Sequence, residues 1–110
     1  MWNIEFFNDK VKKDTLSFPK GILANLLHIL DIIQELGPDI GLPYTKALGN
    51  GLFEIRAKGQ EGIGRVIFCY SVKERNEIVI LHSFIKKTNK IPKKELEIAL
   101  KRKKELEDER

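Results

Sequence analysis

Charged side chains near the middle of the chain have the types and spacing needed to bind a phosphodiester. Alternation along residues 52–58 puts Glu54, Arg56 and Lys58 on one face of a predicted strand. An antiparallel neighbour would bring Arg65 close to this row. Arginine holds two phosphate oxygens through its planar fork, and a carboxylate can accept a proton. The row is typical either of such a binding surface or of a solvated sheet face with ordinary cross-strand ion pairs.

More lysines follow the last predicted strand. Lys86, Lys87 and Lys90 stand between that strand and a final helix. Adjacent lysines repel one another, so a bound phosphate would explain their grouping, and a solvated loop would explain it equally well. The cations of the final helix are expected to form surface ion pairs with neighbouring glutamates; they are Lys101, Arg102, Lys103 and Lys104.

Charge is unevenly distributed along the sequence. Residues 52–104 hold 14 Lys and Arg against 6 Asp and Glu, a net of +8, whereas the whole chain carries +4. A basic segment of this kind favours a polyanionic ligand, most simply a nucleic acid.

The common short motifs of metal and nucleotide enzymes do not occur. Gly59-x-x-Gly62-x-Gly64 lies between two predicted strands, so it is a turn and not a dinucleotide fingerprint. His28, His82 and Cys69 lack the spacing of zinc ligands. We therefore predict neither a metal nor a cofactor.

Length and composition indicate one domain, residues 1–110, with enough apolar content (42%) for a core. No run of 18 apolar residues is present, so no membrane span is predicted. The N-terminal residues lack the pattern of a secretory signal, and a single cysteine agrees with a reducing compartment. A cytoplasmic location is expected.

The elements that must position these residues follow from apolar periodicity. Residues 2–7 alternate as a strand, and a helix is predicted from an N-cap at Ser17 to Gly37. Residues 39–51 are predicted to be a connection. Three antiparallel strands (52–58, 64–72 and 77–85) and a helix beginning at Pro92 complete the order β-α-β-β-β-α. This order predicts an α+β domain with a mainly antiparallel sheet and helices packed on one side.

The first helix has a wide apolar stripe from Ile22 to Leu36. A stripe of this width exceeds one face, so we expect the last helix or a partner protein to cover part of it.

Several segments resemble the RelE/HigB/ParE superfamily of toxins, and within it the phage-derived, HigB-like branch. The segments 51–56 and 64–67 carry the resemblance, and Leu81-His82-Ser83-Phe84-Ile85-Lys86-Lys87-Thr88 to Pro92 is its most specific part. Residues 35–38 and 42–46 also fit that branch.

The resemblance implies the toxin of a type II toxin–antitoxin pair, a cytoplasmic endoribonuclease that cleaves messenger RNA on the ribosome. A ribose 2′-hydroxyl would attack the adjacent phosphate without a metal. The implied partners are a cognate HigA-like helix-turn-helix antitoxin and ribosome-bound messenger RNA.

Residue roles follow from the same resemblance. Arg65 would stabilise the transition-state phosphate, Arg56 would add a second cation, and Glu54 would be a carboxylate base. Lys86 and Lys87 match a basic pair after the last strand. The predicted RNA-binding residues are Lys58, Lys90, His82 and Phe84.

One departure concerns proton transfer. Several relatives carry a Tyr or His near the C-terminus, whereas this chain has neither beyond Tyr70 and His82. Glu54, His82 and Lys87 are the candidates for that role.

Two other functions stay open at the level of sequence. One is a ParE-like toxin that inhibits DNA gyrase by binding, and the other is an inactive member that only binds its partner. The group of Arg56, Arg65, Lys86 and Lys87 favours the nuclease, because inhibition by binding does not require cations gathered on the sheet.

Overall fold

The computed structural model of the protein describes residues 1–86 and 90–109. Lys87 and Thr88 therefore lie outside the described residues, as do Asn89 and Arg110. The elements in chain order are β1 (Asn3–Phe6), α1 (Asp9–Leu16), α2 (Lys20–Leu36), β2 (Thr45–Gly49), β3 (Leu52–Gly59), β4 (Gly62–Tyr70), β5 (Glu77–Lys86) and α3 (Lys93–Asp108).

The strands form one sheet in the order β1-β5-β4-β3-β2. β1 pairs with β5 in parallel, and the other neighbours are antiparallel. The predicted α+β class and antiparallel meander are confirmed. The meander places Arg56 opposite Arg65 across β3 and β4, which sets the geometry of the charged row.

Helices flank the sheet on both faces, which corrects the prediction that all of them pack on one side. Along β4, Val66 and Phe68 join the core beneath α1 and α2, whereas Ile67 and Cys69 join the core beneath α3. The physical reason is visible in the strand sequence, because Val66–Cys69 is a continuous apolar run. Such runs are typical of strands buried on both faces.

The apolar stripe of α2 packs against the sheet. Ile22, Leu26, Ile29 and Ile33 are fully buried against it. On the outer side only Leu27 and Leu36 are exposed large apolar side chains of this helix. α3 packs on the opposite face of the sheet. It therefore does not cover the apolar stripe of α2, which was one of the two possibilities predicted from the width of that stripe.

The sequence prediction missed α1. Asn8 caps this short helix by accepting a hydrogen bond from the Val11 amide, and Ser17 is its C-cap instead of the N-cap of a longer helix. The helix buries only Val11 and Thr15, so its apolar periodicity is weak. Within the described chain no single helix is long and apolar enough to span a membrane; α1 and α2 meet the length and composition test only as a pair bent by 118°.

Close backbone contact fixes α2 against the β3–β4 hairpin. A Cβ at Gly59 would lie 2.5 Å from the Ile22 amide nitrogen, and one at Gly64 would lie 2.7 Å from the Ile22 side chain. The hairpin also supplies a cap, since Glu61 accepts hydrogen bonds from the Gly21 and Ile22 amides. Pro19, the N-cap residue, makes no side-chain cap of its own.

Candidate active site

A buried ion pair lies at the centre of the charged row. Nη1 of Arg65 donates a hydrogen bond to Oε1 of Glu54 at 2.7 Å, and the two residues are 1% and 2% exposed. Nε of Arg56 is 3.8 Å from the same oxygen. A buried charge pair is costly unless its geometry is good, so this arrangement is a specific feature of the sheet face and not a solvated ion pair.

Several polar atoms of this group are left unsatisfied. Among the described residues, Oε2 of Glu54, Nε of Arg65 and Nε of Arg56 are buried and have no hydrogen-bond partner. Unpaired buried polar atoms are costly and in native proteins usually have a ligand, a water molecule or a functional role. One acceptor and two donors are therefore available to a ligand that reaches the pair.

The ion pair forms the floor of a hollow of about 270 Å³, which we call the cationic hollow. Cations from β2, β3, β4 and β5 and from the segment before α3 surround the single carboxylate of Glu54. The lining residues are Lys46, Leu48, Glu54, Arg56, Arg65, Lys86, Lys90, Ile91 and Leu96. Five cations around one carboxylate leave a strong excess of positive charge.

The pKa values of two cations reflect this environment. Burial lowers the pKa of the Arg65 guanidinium below its usual value, and the charge of Glu54 opposes that effect. The pKa of Lys86 is also lowered, first by burial and then by the charge of Arg65. Both shifts are those expected of cations gathered in a partly desolvated space. Arg65 remains charged near neutral pH because an arginine pKa is so high.

Strand alternation allowed the charged row to lie on an open sheet face, but in the structure the row is partly covered. Ile91 and Leu96 line the hollow from the side of α3, and Leu96 packs with the apolar cluster of Leu52 and Ile67. α3 therefore covers the row and turns it into a concave site. Within residues 1–86 and 90–109, no group of three or more His, Cys, Asp or Glu side chains could hold a metal ion.

The hollow brings together most of the residues predicted to act in catalysis. Glu54, Arg56, Arg65 and Lys86 line it, as does Lys90, which was predicted to bind RNA. The predicted catalytic residue Lys87 lies outside the described residues.

Three predicted RNA-binding residues do not line the hollow. Lys58 is exposed beyond it, near the end of β3. Phe84 is opposite Arg65 in the β4–β5 pairing, and His82 stacks on Phe84 with the ring centroids 5.5 Å apart. Tyr70 lies at the other end of β4, where it stacks on Phe53.

His82 is held by α3. Its Nε2 lies 2.9 Å from Oε1 of Glu95, and Nη1 of Arg102 lies 3.5 Å from its Nδ1. Arg102 donates a hydrogen bond to the Leu81 carbonyl at 2.7 Å, where β5 carries one extra residue relative to β4. The expectation of a simple surface ion pair for Arg102 is therefore wrong, whereas Lys103 does pair with Glu107 along the helix.

Sequence reasoning missed the β2 residues of the site, Lys46 and Leu48. Residues 39–51 were predicted to be a connection because of their glycines and prolines, yet residues 45–49 form the edge strand. The signal was present in Asn50-Gly51, which have positive φ angles of 56° and 75°. Asn-Gly with both φ angles positive is the strongest short signal of a β-hairpin, and it joins β2 to β3.

A comparison with protein-family models identifies the relatives of this chain. Residues 13–104 match the family described as phage-derived protein Gp49-like. The chain belongs to this family. The match covers most of the protein, including every lining residue of the cationic hollow. A comparison with curated proteins found no match.

Solved structures share the fold. A chain of the YoeB–YefM complex from Staphylococcus aureus superposes with a TM-score of 0.56 at 17% identity, over 79% of this Gp49-like chain and 99% of that one. A chain of the archaeal RelE–RelB complex from Pyrococcus horikoshii OT3 gives a TM-score of 0.53 at 24% identity, over 76% and 93% of the two chains. The predicted resemblance to phage-derived proteins is confirmed by the family match, and the predicted fold is the one found in chains of the YoeB–YefM and RelE–RelB complexes.

Proposed function

We propose that this Gp49-like protein is the toxin of a toxin–antitoxin pair and an endoribonuclease that cleaves messenger RNA on the ribosome. The observation that carries the proposal is the Arg65–Glu54 pair on the floor of the cationic hollow, with an acceptor and donors left unsatisfied. Cleavage of RNA needs donors directed at phosphoryl oxygens and an acceptor for the 2′-hydroxyl proton, and this group contains both.

The reaction can be assigned to these atoms. The ribose 2′-oxygen attacks phosphorus while its proton passes to Oε2 of Glu54, the carboxylate oxygen that Arg65 does not occupy. Arg65 donates to the phosphoryl oxygens as negative charge develops on them, and Arg56 and Lys86 stabilise the same charge. The bond to the 5′-oxygen breaks, and the leaving oxygen takes a proton from water, which leaves a 2′,3′-cyclic phosphate and a 5′-hydroxyl.

Dependence on the ribosome follows from what the hollow lacks. Its described lining consists of charged and aliphatic side chains, with no neutral amide or hydroxyl side chain to read the edge of a base. Binding by such a surface is mainly electrostatic and independent of sequence. Accurate placement of one phosphate at Arg65 then requires another body to hold the RNA, and a translating ribosome supplies it.

We infer a protein partner because the solved structures that share this fold are complexes of two proteins. The S. aureus structures are YoeB–YefM complexes, one of them described as a heterotetrameric toxin–antitoxin complex, and the archaeal structure is a RelE–RelB complex. For this chain we propose a cognate antitoxin, HigA-like with a helix-turn-helix, acting in the cytoplasm. The cationic hollow would be inactive wherever that partner blocks access to it.

The test is cleavage of a defined message by purified protein, with and without translating ribosomes, followed by mapping of new 5′ ends. We expect cleavage of the translated message, little cleavage of free RNA, and loss of cleavage with Arg65→Lys. Lys12→Ala is the matched control, because Lys12 is an exposed cation of α1, on the opposite face of the sheet from the hollow.

Two outcomes would contradict the proposal. Efficient cutting of free RNA at low protein concentration would remove the role of the ribosome. Inhibition of DNA supercoiling by gyrase, with no RNA cleavage, would favour the gyrase-inhibitor alternative.

A further inference from the structure

Lys46 is a cation of the hollow to which neither the sequence nor the resemblance assigns a role. It lies on edge strand β2 and pairs with Glu54 in the β2–β3 register. Directly opposed residues of antiparallel strands project to the same face, so Lys46 and Glu54 share the face that carries the site. Lys46 is exposed whereas Glu54 is buried, which places the lysine at the rim of the hollow above its floor.

The charges nearby do not neutralise Lys46. Oε1 of Glu54 accepts a hydrogen bond from Arg65, and in the described part of the chain no carboxylate lies within 4.0 Å of the Lys46 ammonium. The charge of Lys46 also contributes to lowering the pKa of Lys86 across the hollow. Lys46 therefore adds to an existing excess of positive charge, which is unfavourable unless an anion binds there.

We propose that Lys46 is a positioning residue that binds a phosphate next to the one cleaved at Arg65. The inference rests on the proposed function, because it assumes that the hollow holds a single-stranded RNA backbone. Arg65 lies on the floor and can reach only the phosphate that enters the hollow. Lys46 lies at the rim, on the open edge of the sheet, where the chain must pass on its way in or out.

The alternative explanation is that Lys46 protects the edge of the sheet from pairing with another chain. Lysine on an exposed edge strand discourages pairing with another copy of the chain. That role would make Lys46→Ala self-associate without changing its affinity for RNA as a monomer. The two explanations therefore give different measurements.

The experiment uses a short RNA fully methylated at its 2′-hydroxyls, which cannot be cleaved. Affinity is measured at several salt concentrations for the wild type, Lys46→Ala, Lys46→Arg and the control Lys12→Ala on exposed α1 surface. For Lys46→Ala we expect about three- to tenfold weaker binding and a log–log salt slope smaller by about 0.7, the value for one lost phosphate contact on a single strand. Lys46→Arg should restore both, and Lys12→Ala should leave both unchanged.

Cleavage of ribosome-bound message separates positioning from chemistry. Lys46→Ala should raise KM and leave single-turnover cleavage at saturating message close to that of the wild type. Equal affinity and slope for Lys46→Ala and wild type, or new self-association as the only change, would overturn the inference. If the wild type binds the methylated RNA through Lys46 but cleaves no message, the proposed function fails while the contact stands.

Discussion

The two faces of the sheet differ in what they bury. On the α2 face, Ile55 and Ala57 of β3 are fully buried among apolar side chains. On the α3 face, Glu54 and Arg56 of the same strand lie within a charged hollow. Alternation along one strand thus separates the residues that stabilise the fold from those proposed to act on RNA. The apolar face can offset the cost of the buried Arg65–Glu54 pair, which the charged face alone could not.

The largest expected effect on stability comes from the α2 face. Ile29 is fully buried in the middle of α2, so Ile29→Ala removes apolar contacts and leaves a cavity. We expect a loss of roughly 2–5 kcal/mol in the free energy of unfolding. Urea denaturation followed by far-UV circular dichroism measures it.

The same variant sharpens the comparison of the two faces. Per folded molecule, cleavage should be unchanged, since Ile29 belongs to the apolar cluster of the α2 face and does not line the hollow. Slower single-turnover cleavage by Ile29→Ala than by the wild type, compared without urea at equal concentrations of folded protein, would show that the two faces are coupled.

The charged face should respond in the opposite way. Arg65→Lys keeps a positive charge beside Glu54 but loses the planar fork, so cleavage should fall about a hundredfold or more, equivalent to roughly 3 kcal/mol of transition-state stabilisation. Stability should change much less than in Ile29→Ala. Cleavage assays and urea denaturation on one protein preparation compare the two quantities.

Arg65→Ala is a weaker test of this role than Arg65→Lys. The structure shows Glu54 to be buried, so alanine would leave an unpaired buried carboxylate at a cost of roughly 3–5 kcal/mol. Loss of activity could not then be separated from unfolding. Unchanged cleavage in Arg65→Lys would contradict the role proposed for Arg65.

The contrast between the faces also explains what the sequence could predict. Strand alternation placed Glu54 and Arg56 on one face, and hairpin pairing placed Arg65 beside them, because both depend on local geometry. β2 was not predicted because the glycines and prolines of residues 39–51 indicated a connection. Lys46 and Leu48 were therefore not included in the predicted site. The packing of α3 over the charged row could not be predicted from the sequence. The face on which this helix packs depends on contacts with Ile67 and Cys69, which are distant from it in the sequence.

A smaller effect is expected where α3 meets the rest of the molecule. Arg102 donates to the Leu81 carbonyl, and its guanidinium lies 5.7 Å from the centre of the Phe7 ring. Arg102→Ala removes a charged hydrogen bond and a cation–π contact, so we expect a loss of about 1–3 kcal/mol in the free energy of unfolding. Lys101→Ala, an exposed neighbour on the same helix, should lie within about 0.5 kcal/mol of the wild type. Equal thermal and urea midpoints for the two variants would show that Arg102 is an ordinary surface cation.

The smallest effect concerns the cap that the β3–β4 hairpin gives to α2. Hydrogen bonds from the Gly21 and Ile22 amides lower the pKa of Glu61 below its usual 4.5, with the Gly21 bond the larger cause. The folded state therefore binds this proton less readily than the unfolded state. The stabilisation by Glu61 should be fully present above about pH 4.5 and lost as the pH falls through the lower folded-state pKa.

Because Glu61 is exposed, its contribution to stability is small and should appear as a shift in the urea midpoint. The urea midpoint of the wild type should exceed that of Glu61→Gln at pH 6, and this difference should narrow by pH 3. A gap between the wild type and Glu61→Gln that stays constant from pH 6 to pH 3 would mean that the charge of Glu61 does not contribute to the cap.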